Sequence, residues 1–379
     1  MSKSGLVLVG GGARTAYQTG VIKAVSEMTD SKEIPFKIIT GVSAGAVNGA
    51  ALAYGAYDFR KTSEWLWKLW SGLKIDMVIR SDGISLISLG VKLLMNLVLG
   101  GRLGLSEANY LMDTAPLRSL LEREVNFHTI KRNIQRGVID ALAISATNYR
   151  TGTNMTFFDS NLPFEDWERS QRISKRTSLT VDHIMASTAI PLFFPPRKLD
   201  DNFYGDGSIR LISPLSSAIH LGADKVFAIG SRKPRTQDYL QSKNDEKTEK
   251  VVLADIAGLL MNSIFLDSLD SDIERMERVN RTISRMNQFS RASHPDNLRE
   301  VPLLVIRPSR DLGKLASQQF HRFPFMMRHL LSGIGVSEKS GRELLSYLSF
   351  DTNYTTILLN LGYCDALEKE KEIREFLKY

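Results

Sequence analysis

The 379-residue chain has one cysteine, Cys364. No internal disulfide can form, which excludes the disulfide-stapled secreted class and fits a reducing compartment. Its six histidines show no zinc-ligand spacing. No nucleic-acid motif or block of basic residues is present, so no nucleic-acid partner is expected. The opening MSKSGLVLVGGG has too short an apolar run for a secretory signal, so the expected location is cytoplasmic. Two phosphate-binding templates fail as well. In GGGARTAYQTG, residues 10–20, Thr15 stands at the sixth place, where a dinucleotide fingerprint has glycine, and the G-K-S/T of a P-loop is missing.

What is present is ordinary globular material, 43% hydrophobic and 24% charged, enough for one large domain or two ordinary ones. The net charge of +7 is spread along the chain. It reads as the surplus of a soluble surface, or as attraction to an anionic membrane. One long apolar segment, ISLISLGVKLLMNLVLGG at 84–101, carries a single charge, Lys92. Ser85, Ser88, Lys92 and Asn96 give it a narrow polar stripe, and its length is marginal for crossing a bilayer. It is expected to be an amphipathic helix, either packed over the core or meeting lipid beside an active site at the inner face of the membrane. In EWLWKLW, the tryptophans Trp65, Trp67 and Trp70 are expected to pack inside.

Short, nearly continuous apolar runs at 6–9, 36–40, 141–146 and 226–230 read as strands buried on both faces. A later run at 302–308 joins them. Between the first two runs, Tyr17, Val21 and Val25 recur at helical spacing. The expected fold class is therefore α/β, a sheet with helices on both sides. Leu266, Leu269, Ile273 and Met276 mark one face of a long helix. The polar stretch around 232–250 reads as a surface loop, and the C-terminal stretch as helices with charged outer faces.

Two glycine-rich corners carry the chemistry. In GVSAG, residues 41–45, a strand must turn sharply into a helix. Gly41 and Gly45 let the turn close, and Ser43 is left at its strained tip with free N–H groups behind it. In GGGARTAYQTG, the amides of Gly10, Gly11 and Gly12 can converge on negative charge. Arg14 either steadies that loop or a phosphate, or forms a surface ion pair. A serine nucleophile needs a base. His183 lies in a helical pattern and His220 near a helix end, so neither is persuasive. Asp206, between Gly205 and Gly207 in FYGDGSIR, can accept a serine proton directly, although an Asp-Gly pair is also an ordinary turn.

Together, GGGARTAYQTG, GVSAG, DGS (206–208) and ASTAIPLFFPP (186–196) resemble the patatin-like phospholipase family of bacterial type, in order and spacing across about residues 5–220. VIRPSRDLG and LLNLGYCDAL extend the likeness toward the C-terminus. Two positions depart from the family pattern, Thr15 and Ser208, where glycine or another small residue is common. The resemblance implies a three-layer α/β/α catalytic domain over 5–220, with 221–379 completing the fold. It implies hydrolysis of acyl esters in phospholipids or other lipids without metal or other cofactor. By position, Ser43 becomes the nucleophile, Asp206 the general base and Gly10–Gly12 the oxyanion hole, with Arg14, Gly41, Gly45 and Gly207 in support. An acyltransferase using the same acyl-serine, or a catalytically silent lipid-binding regulator, is the alternative. The sequence carries no mark of oligomeric state.

Overall fold

Each expected apolar run becomes a strand because both of its faces are covered. The computed structural model describes residues 2–29, 31–80, 110–234, 236–237, 241, 251–286 and 298–378. Strands β1 (Ser4–Leu8), β2 (Ile38–Val42), β3 (Ala141–Asn148), β4 (Asn154–Ser160), β5 (Glu168–Arg169), β6 (Arg172–Arg176), β7 (Arg197–Leu199), β8 (Asn202–Asp206), β9 (Lys225–Ile229) and β10 (Leu303–Ile306) form one mixed sheet. Its main order is β10-β9-β1-β2-β3-β4-β6-β5. The first five strands of that order run parallel, while β4 and β8 pair antiparallel with β3. Along β1, Leu6 and Leu8 enter one core and Val7 enters the other. That pleat alternation explains why a parallel strand reads as unbroken apolar sequence.

Helices cover both faces. On the first lie α1 (Ala16–Met28), α2 (Ala44–Tyr54), α3 (Phe59–Ser71) and the helix Thr352–Glu368; on the second lie Ser216–His220 and Asp267–Arg285. Tyr17, Val21 and Val25 of α1 are buried as their spacing predicts, and Tyr17 donates its hydroxyl to Asp365 Oδ2 at 2.9 Å. Trp70 is buried, its indole N–H donating to Asn48 Oδ1 at 2.8 Å. Trp65 and Trp67 pack against the same core half-buried.

Several expectations are refined. Strand β2 starts later than expected and runs through Gly41 and Val42, so it delivers the chain directly to Ser43. The helical pattern before β10 resolves into two helices, Leu253–Phe265 and Asp267–Arg285, with Leu266 at their joint. The polar stretch after β9 does not begin as a free loop. Arg232 is half-buried and ion-pairs with Asp267 and Asp270. The segment 84–101 and most of 232–250 lie outside the described residues. Among the described residues, no helix is long and apolar enough to cross a membrane.

Candidate active site

Ser43 and Asp206 are brought together by the edge of one strand. Parallel β2 occupies the edge of β3 as far as Val42, opposite Ser145. Antiparallel β8 takes over that edge from the next residue, Asp206 lying opposite Ala146. The other edge of β3 is filled by β4. Strands β2 and β8 therefore meet end to end, and the residue after one faces the last residue of the other.

Ser43 sits at φ 54°, ψ −135°, a conformation that side chains other than glycine's seldom adopt. Its amide donates to Ser187 Oγ at 2.9 Å, and that hydroxyl donates to the Ser145 carbonyl at 2.6 Å. The sharp exit into α2 needs Gly45. A Cβ there would stand 2.2 Å from the Leu8 carbonyl oxygen, far inside contact distance.

Asp206 is completely buried, and Ser43 is 2% exposed. The Asp206 amide donates to the Ala189 carbonyl at 2.8 Å, and its carbonyl accepts from Thr147 Oγ1 at 2.8 Å. One carboxylate oxygen accepts from the Ser208 amide at 2.9 Å, whereas Oδ2 and the Ser208 hydroxyl have no well-formed hydrogen bond. Burial pushes the carboxyl up to about 7, against the opposing pull of the Ser43 hydroxyl and Ser208. That places a buried carboxyl near neutrality beside a serine hydroxyl, in the range in which general bases operate at neutral pH.

The glycine loop completes the group. A Cβ on Gly10 would lie 3.0 Å from Ser43 Cβ and 2.8 Å from Ser208 Oγ. The carbonyls of this loop are tied back. Val9 accepts from Gln18 Nε2, Gly10 from Ser231 Oγ, Gly11 from the Arg14 amide and Gly12 from Thr15 Oγ1. The amides of Gly10, Gly11 and Gly12 donate to no acceptor among the described residues. Acceptors satisfied and donors left over is the inventory of an anion site. Thr15, a departure from the usual glycine, holds the loop in place.

Arg14 is no surface ion pair. It is buried, its Nε donating to Ser346 Oγ at 2.7 Å and its guanidinium stacked 4.4 Å from the Tyr347 ring centre. Its Nη2 pairs with Glu343 at 2.5 Å. Burial works against the Glu343 carboxylate, but Arg14 outweighs it and holds it below the usual range. The helix Arg342–Leu348 thus clamps the glycine loop, and a Cβ on Gly12 would lie 2.4 Å from the Tyr347 carbonyl oxygen. Glu343→Gln is expected to leave a buried guanidinium undercompensated. Since Glu343 keeps an edge in solvent, the loss is about 2 kcal/mol, read as a lower urea midpoint at unchanged m.

Glu343 and Ser187 are the positions that sequence reading passed over. Ser187 lies inside the quoted ASTAIPLFFPP stretch, whereas nothing near Glu343 in the chain signals its distant partner. His183 serves in a capping box with Thr180, and burial pushes it down to about 4. His220 stacks on Trp167. Among the described residues, no three His, Cys, Asp or Glu side chains gather as a metal site.

A narrow apolar cavity of about 60 Å³ opens on Ser43 and Gly12, walled by Leu69, Trp70, Leu117, Leu120 and Phe194 among others. Its volume is about that of two waters in the liquid, too little for an acyl chain unless those walls part. A much larger cavity lies elsewhere and touches neither Ser43 nor Asp206.

The patatin-like phospholipase family model matches residues 6–219, more than half of the chain. The chain belongs to the patatin-like phospholipase family. Among curated proteins, none matches this patatin-like chain. Of solved structures, VipD from Legionella pneumophila is 12% identical, with a TM-score of 0.35, over 95% of this chain and 67% of its own. Human GIVD cytosolic phospholipase A2, solved with a methyl gamma-linolenyl fluorophosphonate inhibitor and terbium chloride, is 14% identical, with a TM-score of 0.47, over 100% and 59%. Scores this low leave the family match to carry the fold. Membership supports lipid acyl-ester hydrolysis as the general class of reaction.

Proposed function

We propose that this patatin-like protein hydrolyses fatty-acyl esters of phospholipids or related lipids through an acyl-serine intermediate. Ser43 is the nucleophile, Asp206 the general base, and the amides of Gly10, Gly11 and Gly12 the oxyanion donors. The observation that carries this reading is the end-to-end meeting of β2 and β8 on β3, beside a loop whose amides are left without acceptors.

Asp206 takes the Ser43 proton as Oγ attacks the ester carbonyl. The developing oxyanion receives the glycine amides, each such donor being worth on the order of a hundredfold in rate. The alcohol or lysolipid leaves with the proton from Asp206, and Ser43 carries the acyl group. Water then gives a proton to the same carboxylate as its oxygen attacks the acyl carbonyl, and when the bond to Ser43 Oγ breaks Asp206 returns that proton to Oγ, releasing the fatty acid and restoring both groups. Arg14, paired to Glu343, keeps the glycine loop in register and takes no part in proton transfer.

A fluorophosphonate probe is expected to label the wild type and not Ser43→Ala, and the variant should lose hydrolysis of a fatty-acyl ester while keeping its circular dichroism. Full activity in Ser43→Ala removes Ser43 as nucleophile. Product analysis with added lysolipid separates hydrolysis from acyl transfer, which would return the chain to the acceptor instead of to water.

A further inference from the structure

A second cavity, of about 510 Å³, has the volume of a small-molecule site. It is built on the second core, across the sheet from Ser43, between Ser216–His220 and the long helix Asp267–Arg285. Its floor is aliphatic, with Leu215, Ile219, Met276 and Val279, and its polar side holds three arginines and His220.

Those arginines are not equivalent. Arg299 is engaged by Asp224 Oδ1 at 3.1 Å and the Ala223 carbonyl at 2.8 Å. Arg275 donates to Ser213 Oγ at 2.9 Å and stands 3.8 Å from Asp272. Asp272 in turn is fixed by the Leu215 amide at 2.9 Å. The side chain of Arg172, half-buried on β6, forms no hydrogen bond and no ion pair among the described residues, although its charge reaches Asp272 and His220. Among the described residues, two of the three cations are thus paired, with Asp224 and Asp272, while Arg172 meets Asp272 only through longer-range attraction and stands beside the apolar floor. A guanidinium fork matches a carboxylate, and a single surplus charge matches a monoanion. The aliphatic floor asks for a chain behind that head.

We propose that this cavity binds a long-chain fatty acid, its carboxylate on Arg172 and its chain along the floor of Leu215, Ile219, Met276 and Val279. On the reading of the active site given above, such an acid is the reaction's own product; the binding itself does not depend on that reading. The occupied segment 213–216 follows Asp206 by only a few residues, so the ligand would sit against the chain that carries the proposed base.

The test uses full-length enzyme with Ser43 blocked by fluorophosphonate, titrated by calorimetry with submicellar oleate. Trp167, stacked on His220, gives a parallel fluorescence signal. One oleate is expected to bind, and Arg172→Gln and Val279→Glu, both at solvent-accessible positions, are each expected to weaken it at least tenfold with unchanged circular dichroism. Methyl oleate and inorganic phosphate should bind at least tenfold more weakly than oleate. Oleate binding that is indifferent to both variants, or that vanishes when Ser43 is blocked, overturns the site. Phosphate binding as tightly as oleate overturns its assignment to an acid with a chain. If Ser43→Ala retains hydrolysis while Arg172-dependent oleate binding persists, only the product relationship falls.

Discussion

Asp206→Asn is expected to abolish ester hydrolysis and, above pH 7, to make the fold more stable. In the unfolded chain an aspartate ionises near 3.9, whereas burial pushes Asp206 from 3.8 to about 7 in the fold. The native state therefore holds the proton more tightly than the unfolded one. Below pH 4 both states are protonated and the site carries no penalty. Between about pH 4 and 7 the unfolded chain gains by ionising while the native chain does not, so stability falls as pH rises and levels off above 7. A shift of about 3 units corresponds to about 4 kcal/mol. Asparagine keeps the shape, remains neutral and still offers an oxygen to the Ser208 amide. Urea unfolding should show the variant gaining a few kcal/mol at pH 8 and almost nothing at pH 4. An equal difference at both values would contradict the buried, raised carboxyl. Loss of the proposed base should lower kcat/KM by about a thousandfold or more. In the wild type kcat/KM should rise with pH through about 7 and then flatten, because only the ionised carboxylate accepts the serine proton.

Some of this was legible in the sequence because the physics is local. Strands β1, β2, β3, β9 and β10 pack side chains into the cores on both faces of the sheet, so their residues are mostly apolar. The turn at GVSAG announces itself through Gly41 and Gly45, whose missing side chains make room for backbone atoms. Strands β5 to β8 are short and partly exposed, and their polar residues leave no period to read. FYGDG reads as a turn, although Asp206 ends a strand, because its ladder is completed by residues of β3 nearly sixty positions earlier. Register is likewise invisible locally, and it is the register of β2 and β8 on β3 that joins Ser43 to Asp206. Arg14 could be read either as clamp or as surface pair until its partner Glu343, 329 residues away, closed over it. The cavity proposed for a fatty acid had no motif to betray it, since Arg172 lies on β6, Arg275 on the helix Asp267–Arg285 and Arg299 in the loop before β10.

Ser43→Gly is expected to be inactive yet more stable than Ser43→Ala, and the pair separates chemistry from strain. At φ 54°, ψ −135° a residue bearing a Cβ is held away from its preferred wells at a cost of about 1–3 kcal/mol. The Ser43 amide on Ser187 and the tight seating of Gly45 against Leu8 hold it there. Glycine relieves that strain, although its freer unfolded chain returns about 0.5–1 kcal/mol of the gain. Alanine keeps the Cβ and so keeps the strain, while losing the hydroxyl that favours the ionised form of Asp206. Urea midpoints should therefore place the glycine variant about 1 kcal/mol above the alanine variant, with neither hydrolysing ester. Equal midpoints would mean that the turn is relaxed with serine in it. A strained serine beside a buried carboxyl whose ionisation burial opposes means that the fold gives up stability at the two groups proposed to react. Ser43→Gly and Asp206→Asn then restore stability by separate routes, the first by relieving backbone strain at every pH, offset above about pH 7 by the lost hydroxyl's support of the ionised Asp206, and the second confined to pH above about 4; in Ser43→Gly/Asp206→Asn that offset disappears with the carboxylate, so the double variant should gain at least the sum of the two at pH 8.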